Sequence, residues 1–222
     1  MKSYFFIWKI SRRQIPRALF HMAFDRFALG KNSQITFFKS LGAGAGKTFT
    51  PNDADPLTWA LVISTVEPIQ DFSRLAPIAA WRSFSQSEEF FELEAISSHG
   101  QWAKMEPFLS TRGGDWNGEV ATITRARIAW RENLRFWRAV PPVTESLLGN
   151  DGLISTIGIG EAPIGLQGTF SHWRSQEALR TFAYQSEAHK RAIAQTAERH
   201  WYKEELFARF AVINHYTRTL PR

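Results

Sequence analysis

The sequence predicts an α+β fold made of two tandem ferredoxin-like (βαββαβ) halves. Three observations predict it. Strand-length runs of aromatic and β-branched residues alternate with helical periodicity in the order β-α-β-β-α-β, and that order recurs after a glycine-containing loop. The closing strands of the two halves are alike, FELEAISSHG against ARFAVINHYT. The chain has 222 residues, enough for two such halves or for one large domain. The halves are expected over 1–98 and 119–222, with 99–118 as linker and one sheet packed on the other.

In the first half, Tyr4 to Ile10 is a strand. Pro16 suits the first turn of a helix that carries Leu19, Phe20, Ala23, Phe24 and Phe27 and stops at Gly30. Ile35 to Leu41 and Leu57 to Val66 are strands around a glycine loop. Ile69 to Phe84 has helical spacing at Phe72, Leu75 and Ile78, with Arg82 at its margin, and Phe90 to Ser97 is a strand. In the second half, Glu119 to Ile128 is a strand on which Ala121, Ile123, Arg125 and Arg127 share one face. A helical connection from Trp130 to Leu148 is broken by Pro141-Pro142. Strands follow at Leu153 to Ile159 and Gly165 to Trp173, then a long helix, then the strand Glu205 to His215.

The long helix opens on Ser175, a capping hydroxyl, with Glu177 in its positively polarised first turn. Leu179, Phe182, Ile193 and Ala197 form its apolar stripe. His189 falls seven residues after Phe182 and four before Ile193, on the same stripe. Two readings stand: a core histidine satisfied by a neighbour, or a neutral imidazole offered to a metal or a haem iron. His200 lies about 16 Å further along a helix at ~1.5 Å per residue, so the two cannot share one ion.

Composition narrows the chemistry. With no cysteine, disulfides, zinc–thiolate sites, cysteine nucleophiles and thiolate-ligated haem are excluded. The net charge of +6 is spread without a dense basic run, which argues against nucleic acid while leaving an acidic partner or an anionic membrane open. No segment reaches the ~20 apolar residues of a spanning helix, and the apolar run Tyr4 to Trp8 is too short for a signal peptide. The expected location is the cytoplasm, with contact to the inner membrane surface left open.

The loop GAGAGKT imitates a nucleotide-binding loop but lacks its first glycine, since that position is Leu41, and Pro51 prevents the helix that must follow. A hairpin or ligand-closing loop is expected instead. Arg125 and Arg127 either reach a ligand's carboxylates or a bound oxygen species, or are solvated arginines of an edge strand. Glu161, in the turn Gly-Glu-Ala-Pro, is either a proton donor beside a pocket or an exposed turn carboxylate. His99 and His215 end corresponding strands and are expected to be structural.

The segments IGEAPIGLQGTFSHW, FAYQSEAHKRAI and WYKEELFARFAV resemble the spheroidene monooxygenase family, the acyclic carotenoid 2-ketolases. So do LGAGAGKTFTPND, WALVIS, SHGQWAKMEPF, ITRARI and FWRAVPPV, and the likeness runs from the Phe5 strand to His215. The resemblance implies a dimeric α+β-barrel type of fold and a haem-dependent monooxygenase. Such an enzyme would take O2 and electrons from a ferredoxin-type donor and oxidise an acyclic carotenoid at C2 to a ketone. It implies haem b with His189 as the iron's axial ligand. Arg125 or Arg127 would anchor a propionate or assist on the distal side, and Glu161, Gln167 and Phe182 would line the pocket, with Glu161 and Arg125 as the candidate catalytic residues. A homodimer remains open. A cofactor-independent monooxygenase of the same barrel and a non-enzymatic haem or lipid carrier are the competing expectations.

Overall fold

The computed structural model describes residues 1–44, 53–128, 147–161, 168–185 and 202–221. In the N-terminal half, β1 (Lys2–Ile10) is followed by α1 (Ile15–Leu29), β2 (Ile35–Gly44), β3 (Ala54–Thr65), α2 (Ala76–Phe84) and β4 (Ser85–Gly100). The C-terminal half contains β5 (Val120–Ile128), β6 (Leu153–Gly160), β7 (Gly168–Trp173), α3 (Gln176–Gln185) and β8 (Tyr202–Thr219).

Helix α1 has the bounds its proline and glycine predict. The helix expected over Ile69 to Phe84 is shorter, because Pro77 has no amide to give an earlier turn and fits only the first turn of α2. The chain before it makes a 3-10 turn, Phe72–Arg74, capped by the Asp71 carboxylate on the Ser73 amide. The connection expected over Trp130 to Leu148 lies almost wholly outside the described residues, as does the helix beyond Gln185.

Every strand pair is antiparallel. The first half has the order β4-β1-β3-β2 and the second has β8-β5-β7-β6, the same permutation twice. The fold class read from the sequence is therefore the one observed. The two sheets also join edge to edge. A long seam pairs β4 with β8, from Ser87 opposite Thr219 to Gly100 opposite Leu206. A short seam pairs Gly42-Ala43-Gly44 with Gly158-Ile159-Gly160. The result is a closed eight-stranded barrel with no free edge. The start of the glycine loop thus has a structural role: on both strands of the short seam the outward positions carry no side chain.

Alternation sends one set of side chains into the barrel. Phe5, Phe37, Phe91, Phe170 and Phe210 fill it, joined by Phe108 from the loop after β4, with Phe5 stacked on Phe170 at 4.0 Å between ring centroids. Outside, Tyr4, Phe6 and Trp8 of β1 pack against Leu29 of α1 and Ile78 and Trp81 of α2. On the opposite outer face, Val120, Trp173 and Ala211 pack against Leu179 and Phe182 of α3. Among the described residues no helix is long and apolar enough to cross a membrane.

Candidate active site

Arg125 is the third inward residue of β5 after Ala121 and Ile123, so strand alternation brings a guanidinium to one end of an apolar barrel. Its side chain is only 6% exposed. Nη2 donates to Glu161 Oε1 at 2.7 Å and Nη1 to Glu204 Oε2 at 2.5 Å, while the guanidinium carbon lies 5.2 Å from the centroid of the Trp102 ring. The Trp102 indole also donates to Glu161 Oε1 at 2.8 Å, and Lys39 Nζ to Glu161 Oε2 at 2.8 Å. Glu204 further accepts the backbone amides of Ala103 and Lys104, which have φ of 57° and 62°. Two successive non-glycine residues in the left-handed region are strained, and the Glu204 carboxylate holds that turn in place beside Trp102.

Burial pushes the Glu161 carboxyl up, but the Lys39 and Trp102 hydrogen bonds and the charges of Lys39 and Arg125 outweigh it, so its pKa falls below the usual carboxylate value. Glu204 is lowered too: burial opposes, and the Lys104 and Ala103 amides with Arg125 prevail. Both are ionised at neutral pH, and two cations balance two anions. This corrects two expectations. Strand β5 lies between β7 and β8, so Arg125 is not a solvated arginine on an edge. Glu161 is not a free turn carboxylate, and its environment favours accepting hydrogen bonds over holding a proton to donate.

Gly168 makes room for Arg125. A Cβ there would lie 2.5 Å from the Thr124 carbonyl oxygen and 3.2 Å from the Arg125 Cα, both backbone atoms that cannot swing aside. Gly168→Ala is therefore expected to cost about 1–3 kcal/mol, read as a lower urea midpoint with unchanged slope.

The other end of the barrel carries a second polar group. His172 Nε2 is 2.9 Å from Glu119 Oε2, and His215 Nε2 is 3.0 Å from Glu89 Oε1. The two imidazoles meet edge to face at 4.9 Å, and Phe91 stacks on His215 at 4.3 Å. The ligating atoms of Glu119, His172 and His215 lie within 4.8 Å of one another, a set of types that suits a divalent transition metal. His172 is 1% exposed, its Nδ1 has no hydrogen-bond partner among the described residues, and burial lowers its pKa despite the Glu119 carboxylate.

The outer face of the C-terminal sheet has a different character. Phe182 lies there, against Trp173. Next to this packed region the outward positions of β5, β6 and β7 are Thr122, Thr124, Thr156, Gly158, Thr169 and Ser171, none larger than threonine. Thr156 and Ser171 share a hydrogen bond at 2.9 Å. Side chains this small leave the backbone of that sheet face open to close approach by a flat group. The barrel interior, filled by phenylalanines, offers no such approach.

The structure thus brings Arg125 and Glu161 together and sets Phe182 on the opposite face of the sheet. The Arg127 backbone continues β5 opposite Glu204, while its side chain, Gln167 and His189 lie outside the described residues. Sequence reading missed Lys39, Trp102, Glu204 and His172. For His172 a signal existed, since it alternates in phase with Phe170 on β7. The others depend on contacts across the barrel.

Known proteins resemble this chain along its length. A spheroidene monooxygenase of Rhodobacter capsulatus is 30% identical over 204 residues, spanning 90% of this chain and 84% of the relative. A spheroidene monooxygenase of Cereibacter sphaeroides is 30% identical over 183 residues, spanning 80% of this chain and 56% of the relative. Among solved structures, an aldoxime dehydratase superposes with a TM-score of 0.62 at 13% identity, over 100% of this chain and 84% of that one, a likeness of fold alone. No family model matches the chain.

Proposed function

The chain belongs to the spheroidene monooxygenase family and is an oxidoreductase of the monooxygenase class, and on that premise we propose that it oxidises an acyclic carotenoid, or a similarly long apolar molecule, at C2 to a ketone with haem b as cofactor. The observation that carries the haem is the carpet of small side chains on the outer face of β5–β7, beside the helix whose stripe leads in sequence to His189.

The stoichiometry is that of two monooxygenations of one methylene carbon. Each consumes one O2, two electrons and two protons, leaving one oxygen on carbon and releasing the other as water. The resulting geminal diol loses water to give the ketone. The four electrons are assigned to a ferredoxin-type donor, for which the chain's net charge of +6 offers electrostatic attraction.

When bound, haem would supply oxygen activation. In this proposal His189 holds the iron. Leu179 and Phe182 fix α3 against Trp173, and Thr122, Thr124, Thr156 and Ser171 would form the floor. Arg125 is engaged by two carboxylates on the other face of the sheet, so its assignment is to position the Glu161 turn and not to anchor a propionate.

The test is an absorption spectrum of the purified protein before and after haemin addition, oxidised and reduced with carbon monoxide. A stoichiometric Soret band that His189→Ala abolishes is expected. No Soret band in any of these states would overturn the haem reading and favour a cofactor-independent oxygenase.

A further inference from the structure

Among the described residues, the outer surface of α1 carries a group of large apolar side chains that face solvent. The helix buries Ala18, Asp25 and Leu29 against the barrel, with Asp25 accepting the Trp81 indole at 2.8 Å. At ~100° per residue, the opposite side carries Phe20, Phe24 and Phe27, spaced four and three apart. They are 57%, 51% and 56% exposed, and Leu19 on the flank is also exposed. Phe20 and Phe24 stack on each other at 4.7 Å. Three neighbouring phenylalanines turned to solvent form a contiguous apolar ridge.

The charges around the ridge have one sign. From Ser11 to Lys31 the exposed charged residues are Arg12, Arg13, Arg17, Arg26 and Lys31, and the only acid in that span, Asp25, is buried. Arg17 lies over the Phe84 ring and Arg26 over Phe27. An apolar ridge flanked by cations is the pattern of a helix lying in a lipid–water interface, where rings enter the acyl boundary and arginines meet anionic headgroups.

We propose that α1 docks this enzyme on an anionic bilayer surface, with Phe20, Phe24 and Phe27 inserted and the flanking arginines on lipid phosphates. A second copy of the chain fits this face less well. A two-fold contact would set the same positive residues against each other with no exposed acid on the helix to meet them. The inference needs neither haem nor turnover.

The test is flotation of the full chain with vesicles of equimolar phosphatidylglycerol and phosphatidylcholine, beside vesicles of phosphatidylcholine alone. Wild type is expected to float with the anionic vesicles, less so at high salt, and not with the neutral ones. The triple variant F20S/F24S/F27S is expected to lose binding by about tenfold or more while keeping the wild-type far-UV spectrum, since all three rings are solvent-facing. The proposal would be overturned by equal flotation of wild type and triple variant, or by no flotation of wild type. A dimer in gel filtration that the triple variant splits, with no vesicle binding, would overturn it in favour of a second copy.

Discussion

Glu88→Ala is expected to destabilise the fold by about 3–5 kcal/mol, as much as the loss of a buried aromatic ring. The carboxylate is 0% exposed. One oxygen takes the Trp8 indole at 2.8 Å and Arg82 Nε at 2.8 Å. The other takes Arg82 Nη2 at 3.0 Å, Arg218 Nη2 at 2.8 Å and the Tyr216 hydroxyl at 3.2 Å. These donors come from β1, α2 and β8, so one anion ties the helix layer to the long barrel seam. Removing it leaves a buried indole N–H and a mostly buried guanidinium without an acceptor. Glu92→Gln is the control. Its partner Lys2 is partly solvated, and a loss below about 1 kcal/mol is expected. Urea midpoints for the two variants decide whether the difference is real.

The same carboxylate sets a pH dependence. Burial raises its pKa, yet the Arg82 and Trp8 hydrogen bonds and the charges of Arg82 and Arg218 bring it below the usual glutamate value. A group whose folded pKa is depressed contributes stability above its unfolded pKa and loses it as pH falls through the folded one. Glu94, Glu161 and Glu204 are depressed as well. Stability should therefore decline below about pH 4.5, and the decline should be shallower in Glu88→Ala. His172 adds an acid-side loss of its own. Its depressed pKa means the unfolded chain takes up a proton first as pH drops below about 6.5.

Local features of the sequence were sufficient for the elements and insufficient for their closure. Pro16 and Gly30 mark α1, and periodicity marks β1, β3 and β5 to within a few residues. Strand β4 begins at Ser85, five residues before the expected Phe90. Polar Ser-Gln-Ser-Glu-Glu has no strand signal, and Glu88 is accommodated there by Arg82 together with Trp8, Tyr216 and Arg218, the last three 80, 128 and 130 positions away. The Arg125 site obeys the same rule. Alternation places Arg125 with Ala121 and Ile123, but whether that face is solvent or interior depends on β8, whose Glu204 is 79 positions away. Strand order decided that question, and strand order is a long-range property.

Arg125→Ala is expected to destabilise the protein by about 2–4 kcal/mol, less than Glu88→Ala because Glu161 and Glu204 keep other donors and Glu161 is a third exposed. Arg125→Lys should recover little, since an ammonium cannot bridge two carboxylates as a planar fork does. The double variant Arg125→Met with Glu161→Gln should lose less than the sum of its two single variants, because the two side chains share one ion pair. Haem uptake separates this structural role from the one the sequence suggested. If the guanidinium works only on the barrel-interior face, folded Arg125→Lys will titrate with haemin to the wild-type endpoint and affinity. A tenfold or greater loss of haem affinity in that folded variant would instead place Arg125 among the groups that hold the cofactor.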